Sequence, residues 1–232
     1  MWVRLAGWCV KAVLLVVLLS VALVLPLRWI DPPGSMLMLV RSWEHRGGNY
    51  TVTKQWRDLS DIPRHVPLAV VVAEDQRFLQ HDGVDLAAIR QAVAERRWRG
   101  ELRGASTITQ QVAKNLYLWN GRSWVRKGLE AWLAVLIDLC WSKGRVLEVY
   151  LNIAEWGPGV FGIAAASEAH FGVDARQLSR QQSALLASAL PGPLIYHPGA
   201  PSAYLQERAA WNLRQQQHLG GERWIGDIYT SR

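Results

Sequence analysis

Apolar positions are densest at the start of the chain. Ala12 to Leu25 carries no charge and is mostly valine and leucine. With its flanks, Leu5 to Ile30, this run is long enough to cross a bilayer as a helix. Lys11 interrupts it near the N-terminal side, where a long side chain reaches the headgroups. Trp2, Trp8 and Trp29 stand near its two ends, as interfacial tryptophans do. A cleaved signal peptide is the rival reading, since the charged start and apolar middle fit one. Leu25-Pro26-Leu27-Arg28-Trp29 lacks a small-x-small cleavage site, which favours an uncleaved anchor. Arg4 and Lys11 ahead of the span predict a cytoplasmic N-terminus, with the rest of the chain across the membrane.

After the anchor the pattern becomes helical and punctuated. Asp31-Pro32-Pro33-Gly34-Ser35 breaks the first helix. Met36 to Trp43 reads as a short interfacial stretch, and Tyr50 to Trp56 as a brief strand. Leu68 to Phe78 reads as a helix. Asp85 is placed to cap a helix through Leu86, Ile89, Val93 and Trp98. Thr107 to Leu118 follows a turn at Gly104-Ala105-Ser106, with Ser106 as its expected N-cap. Trp124 to Trp141 predicts a long, largely apolar helix, and Lys143 to Asn152 another. Gly157, Gly159 and Gly162 form a loop before a helix over Ile163 to Phe171. Ser179 caps a helix over Gln181 to Leu190, prolines interrupt the chain from Pro191 to Pro198, and Pro201 to Leu219 is a last, polar helix. The expected fold is mainly α. Residues 1–30 form a cytoplasmic tip and anchor, 31–49 a linker, and 50–232 one domain.

Composition narrows the function classes. The net charge is +7 over 232 residues, which suits nucleic acid, anionic lipid or pyrophosphate. Nucleic acid is disfavoured, because the chain has no zinc-finger spacing, no RNA-binding aromatic motif and no basic heptad region. The two cysteines, Cys9 and Cys140, both lie in apolar stretches and read as small buried hydrophobes, not as a disulfide or a metal cluster. Thirteen tryptophans fit residence at an interface, although core packing explains several equally well.

Two segments carry the chemistry. In the first, Glu74-Asp75 follows the apolar run Val70-Val71-Val72-Ala73, so Glu74 sits where a carboxyl group is desolvated and tuned as a base. The second, Gly104 to Asn115, is a glycine-led, hydroxyl-rich turn running into amides and a lysine. Ser106, Thr107, Gln110 and Gln111 offer donors and acceptors for sugars or phosphates. Further on, Arg126 and Glu130 are four apart and share a helical face, which an intrahelical ion pair alone would explain.

As motifs these read E-D-x-x-F-x-x-H-x-G and G-x-S-T-x-T-Q-Q-x-x-K-N, and together they resemble the signatures of the family 51 peptidoglycan glycosyltransferases. The resemblance runs through Arg126-Lys127-Gly128-Leu129-Glu130 to Gly172, over roughly residues 50 to 220. It implies a lysozyme-like helical domain with a smaller membrane-proximal lobe. It also implies a biosynthetic, monofunctional transglycosylase of the bacterial inner membrane with a periplasmic domain, since no S-x-x-K or K-T-G transpeptidase motif follows. The implied substrates are lipid II and the growing lipid-linked glycan, and cell-wall synthesis or division proteins are candidate partners. By the same resemblance Glu74 is the general base and Glu130 the second catalytic carboxylate. Asp75 and Phe78 support the cleft, and Lys114, Arg122, Arg126 and Lys127 face the diphosphate. No cofactor is required, with a divalent ion (Mg or Mn) at Glu130 the alternative. A lysozyme-like hydrolase would need no diphosphate-binding cluster, and a non-catalytic scaffold would need no base.

Overall fold

The computed structural model describes residues 2–47, 50–99, 106–121 and 123–229. Gly104, Ala105 and Arg122 lie outside them. The chain opens with α1, Trp2–Val24, which continues into a 3-10 turn, Leu25–Arg28. Gly7–Arg28 is the one helix among the described residues that is long and apolar enough to cross a membrane. Cys9 lies on its exposed surface, not in a core.

The end of α1 is held firmly. Helix C-termini leave carbonyls without intrahelical partners, and here other elements supply the donors. Trp141 Nε1 donates to the Val24 carbonyl at 3.0 Å, and Arg28 returns a bond to the Cys140 carbonyl at 2.9 Å. Arg145 donates to the Leu27 and Ile30 carbonyls, each at 2.9 Å.

The domain is a helical assembly with one small sheet. After α2, Met36–Glu44, come α3, His65–Glu74, and α4, Leu86–Arg99. Then follow α5, Ile108–Tyr117, α6, Trp124–Cys140, and α7, Lys143–Ile153. The last three are α8, Ile163–Phe171, α9, Arg180–Ala189, and α10, Ala203–His218. Strands β1, Thr53–Lys54, β2, Glu155–Gly157, and β3, Val160–Phe161, form a sheet in the order β1-β3-β2, with β1 parallel and β2 antiparallel to β3.

Helix α5 packs between α6 and α7, while α3 packs against α9 and α10. Val66 through Val72 are all buried, so α3 is apolar all round and runs through the interior. It stops at Glu74, four residues before the expected Phe78. Asp75 leaves helical space (φ −159°, ψ 73°), and its carboxylate takes partners that a continuing helix would not bring to it. His81 Nε2 donates to Asp75 at 3.0 Å, as does the backbone N–H of Ile108 at the start of α5. Asp75 thereby joins the end of α3 to the beginning of α5.

The cap of α5 is Thr107, not Ser106. Thr107 Oγ1 accepts from the Gln110 N–H at 3.1 Å, and Gln110 Oε1 accepts from the Thr107 N–H at 3.0 Å. Thr107 also donates to the Gly83 carbonyl at 2.5 Å. Gly83 has φ +79°, and a Cβ there would stand 2.5 Å from the Ala134 carbonyl oxygen of α6. That clash is the physical reason for the glycine ending the first motif.

Candidate active site

The end of α3, the start of α5 and one face of α10 enclose a cleft of about 940 Å³. Glu74, Asp75, Ser106, Thr107 and Gln111 line it from one side, and Tyr204, Glu207, Arg208, Trp211 and Arg214 of α10 from the other.

Glu74 is half-buried as a residue, but its two oxygens differ. Oε2 accepts from Gln111 Nε2 at 2.7 Å. Oε1 is sealed from solvent and has no hydrogen-bond partner among the described residues. Desolvation therefore pushes the Glu74 carboxyl above the ordinary carboxylate range, opposed by the Gln111 bond, Arg208 and Lys114, and reinforced by Asp75. A carboxylate with one unpartnered oxygen at a cleft is poised to take a proton.

Beside it stands a second cluster. Arg126 Nη1 donates to Glu130 Oε2 at 2.8 Å, and Lys127 Nζ donates both to Glu130 Oε1 and, at 2.9 Å, to Ser106 Oγ. The ion pair expected from the i, i+4 spacing is real, and it buries Glu130 almost completely, at 3 % exposure. Each Glu130 oxygen accepts from one of these cations, and the Lys114 ammonium has no hydrogen-bond or ion-pair partner among the described residues. Burial lowers the Lys114 pKa, as do Arg126, Lys127 and Arg41, against the attraction of Glu130. The cluster has a surplus of positive charge in a partly dry place.

This donor set does not fit a divalent metal. Glu130 is committed to two cations, with a third alongside, and no group of three His, Cys, Asp or Glu among the described residues could hold an ion.

The sequence-predicted residues thus divide. Glu74, Asp75, Ser106, Thr107 and Gln111 line the cleft, while Lys114, Arg126, Lys127 and Glu130 form the adjoining cluster, with Ser106 bridging the two. Phe78 is fully buried and lies edge-on to His81, which makes it core. Gln110 is spent in the capping box. Arg122 lies outside the described residues. Two participants are missed in the linear reading. Tyr150, which looks like fold support, donates its hydroxyl to Gln111 Oε1 at 3.1 Å. Arg208 lies in the helix that looks merely polar, and the signal is the stripe Arg208, Asn212, Gln216 at spacing four. Asn212 donates to the Ala69 carbonyl of α3 at 2.8 Å and Gln216 to Asn212 at 2.8 Å, which turns this stripe towards Glu74.

Comparison with known proteins gives one consistent answer. A family model described as Transglycosylase matches residues 43–217. A biosynthetic peptidoglycan transglycosylase of Pseudomonas entomophila is 52 % identical over 216 residues, covering 92 % of this chain and 91 % of that protein. Proteins of the same name from Pseudomonas aeruginosa and Stutzerimonas stutzeri are 51 % and 50 % identical, covering 89 % and 94 % of this chain and 90 % and 91 % of their own lengths.

Proposed function

From the premise that this chain belongs to the transglycosylase family and acts in peptidoglycan synthesis, we propose that it polymerises lipid II into β-1,4-linked glycan with Glu74 as general base. The observation that carries this reading is the pairing of a desolvated carboxylate, Glu74, with an adjoining cation cluster whose Lys114 has no partner among the described residues.

The incoming lipid II acceptor presents its sugar 4-hydroxyl to the Glu74 carboxylate. Glu74 takes the hydroxyl proton while the oxygen attacks the anomeric carbon of the lipid-linked donor strand. The bond from that carbon to the diphosphate oxygen breaks on the opposite face, so the centre inverts and undecaprenyl diphosphate departs. Its charge develops beside Lys114, Arg126 and Lys127, where fixed cations in a partly water-excluded site stabilise it most. Arginine grips phosphate oxygens as a fork and lysine as a point charge. Arg126 and Lys127 also stand in the first turn of α6, where the helix dipole disfavours cations and favours an arriving anion. Glu130 holds these cations in place and meets the diphosphate only through them. A base with a raised pKa takes a proton more readily when it is ionised, which suits work near neutral pH.

The anchor supports placement in the inner membrane, with the N-terminus cytoplasmic and the domain periplasmic. The test is labelled lipid II with the full chain in detergent, products separated on a gel and digested with a muramidase. Muramidase-sensitive polymer from wild type, lost in Glu74→Gln, is expected. Polymer at the wild-type rate from Glu74→Gln would remove Glu74 from the mechanism.

A further inference from the structure

Resting on the reading of Glu74 as the base, we propose that Tyr150 is a positioning residue for it: its buried hydroxyl sets the Gln111 amide so that Gln111 donates to Glu74. Three helices supply the chain of contacts. Tyr150 of α7 is 1 % exposed, and its hydroxyl lies 3.1 Å from Gln111 Oε1 of α5. Gln111 Nε2 in turn lies 2.7 Å from Glu74 Oε2 at the end of α3.

A glutamine amide has two orientations, related by a half-turn, that occupy nearly the same space. Here they are far from equivalent. Gln111 Oε1 is the only acceptor for the Tyr150 hydroxyl among the described residues. With that oxygen turned to Tyr150, the NH₂ group faces Glu74 and bonds its ionised form. In the flipped amide the carbonyl would stand against the carboxylate, and the hydroxyl hydrogen would be buried without an acceptor. Burial raises the Tyr150 pKa well above that of an ordinary tyrosine, so the hydroxyl stays a donor throughout the working range.

Other charges bear on Glu74: Asp75 on its own chain end, Lys114 of α5 and Arg208 of α10. Arg77, Asp85, Glu95 of α4, Glu207 and Arg214 complete the charged lining of the cleft among the described residues. Gln111 alone among the described residues donates a hydrogen bond to Glu74. The orientation of one amide, imposed from 3.1 Å behind it, thus governs the one hydrogen bond to the ionised base among the described residues.

The full chain in detergent tests this with Tyr150→Phe, which keeps the ring and removes the donor. Glu74 protonation is read by difference infrared titration, the carboxyl band being identified by its loss in Glu74→Gln. The midpoint is expected to move up by about one pH unit, with the acid limb of kcat/KM moving alongside and kcat falling about tenfold. Gln111→Leu is expected to shift the midpoint similarly, with Tyr150→Phe adding nothing on top. An unmoved midpoint in folded Tyr150→Phe, or additive shifts in the double variant, would overturn the proposal. Activity surviving in Glu74→Gln would refute the base assignment instead, and the infrared midpoint would still report on the amide.

Discussion

Glu74 and Asp75 are adjacent carboxylates with opposite fates. Asp75 is bonded to His81 and the Ile108 N–H and serves as a joint, whereas Glu74 keeps an oxygen unpartnered among the described residues and is the proposed base. Removing a positioned base costs about 10²- to 10⁴-fold, so Glu74→Gln should lower kcat by that range in the lipid II assay. The same substitution should stabilise the fold. The folded-state pKa of Glu74 lies above its ordinary value of 4.5, so its favourable contribution is complete below that value and lost as pH rises through the folded pKa. Glu74→Gln should therefore melt higher than wild type at neutral pH, and the gap should close as pH falls through the folded pKa to about 4.5. A constant gap across that range would mean that Glu74 is not desolvated. Lys114 follows the mirror rule, since a depressed lysine pKa means that its charge opposes folding at neutral pH. Lys114→Met should therefore fold at least as well as wild type while losing roughly 10- to 100-fold in kcat/KM, measured by initial rates. Glu74 and Lys114 were both legible in the sequence, because each sits in a motif. Tyr150 was not, because its role exists only through Gln111, 39 positions away in the chain.

Among the elements, α10 changes meaning most between sequence and structure. In the sequence it reads only as a last, polar helix, yet it forms a wall of the cleft. The cause is a polar staple, with Asn212 bonded to an α3 carbonyl and Gln216 bonded to Asn212, all buried. A buried donor is costly to leave unpaired. Asn212→Ala leaves the Gln216 amide without its acceptor and should cost about 1–3 kcal/mol by chemical denaturation. It should also lower turnover more than distance alone suggests, because Arg208, one turn earlier on the same face, would lose its alignment with Glu74. Wild-type turnover in a destabilised Asn212→Ala would show that α10 merely covers the cleft. The termination of α3 makes the same point. No Gly or Pro interrupts the chain between Glu74 and Phe78, so the linear pattern lets the helix run on, whereas the tertiary bonds of Asp75 hold the chain out of helical space just after Glu74.

At the scale of the molecule, the anchor and the chemistry are mechanically joined. Helix α1 packs on α6, and Trp132 of α6 reaches Ser20 of α1 at 3.3 Å. Further along α6 an apolar face is open, with Trp124 at 93 %, Val125 at 72 % and Leu139 at 76 % exposure. Such a face beside a membrane helix belongs in lipid, whereas α10 packs on α3 and α9, away from α1. In proteoliposomes, a dye on Leu139→Cys, with Cys9 and Cys140 replaced by serine, should be quenched by a lipid-borne quencher, and a dye on Glu207→Cys should not. Equal quenching at both positions would mean that the domain has no fixed attitude to the bilayer.

The anchor, the helical class and most element positions follow from local pattern alone, and the candidate base from the motif that contains it. Apolar length, 3.6-residue periodicity and caps are properties of neighbouring residues, so the linear order contains them. Which carboxylate is saturated, which lysine lacks a partner, which way an amide points and which polar helix walls the cleft depend on groups brought together from distant parts of the chain. Burial and hydrogen-bond geometry decide those outcomes, and both are set only when the helices pack.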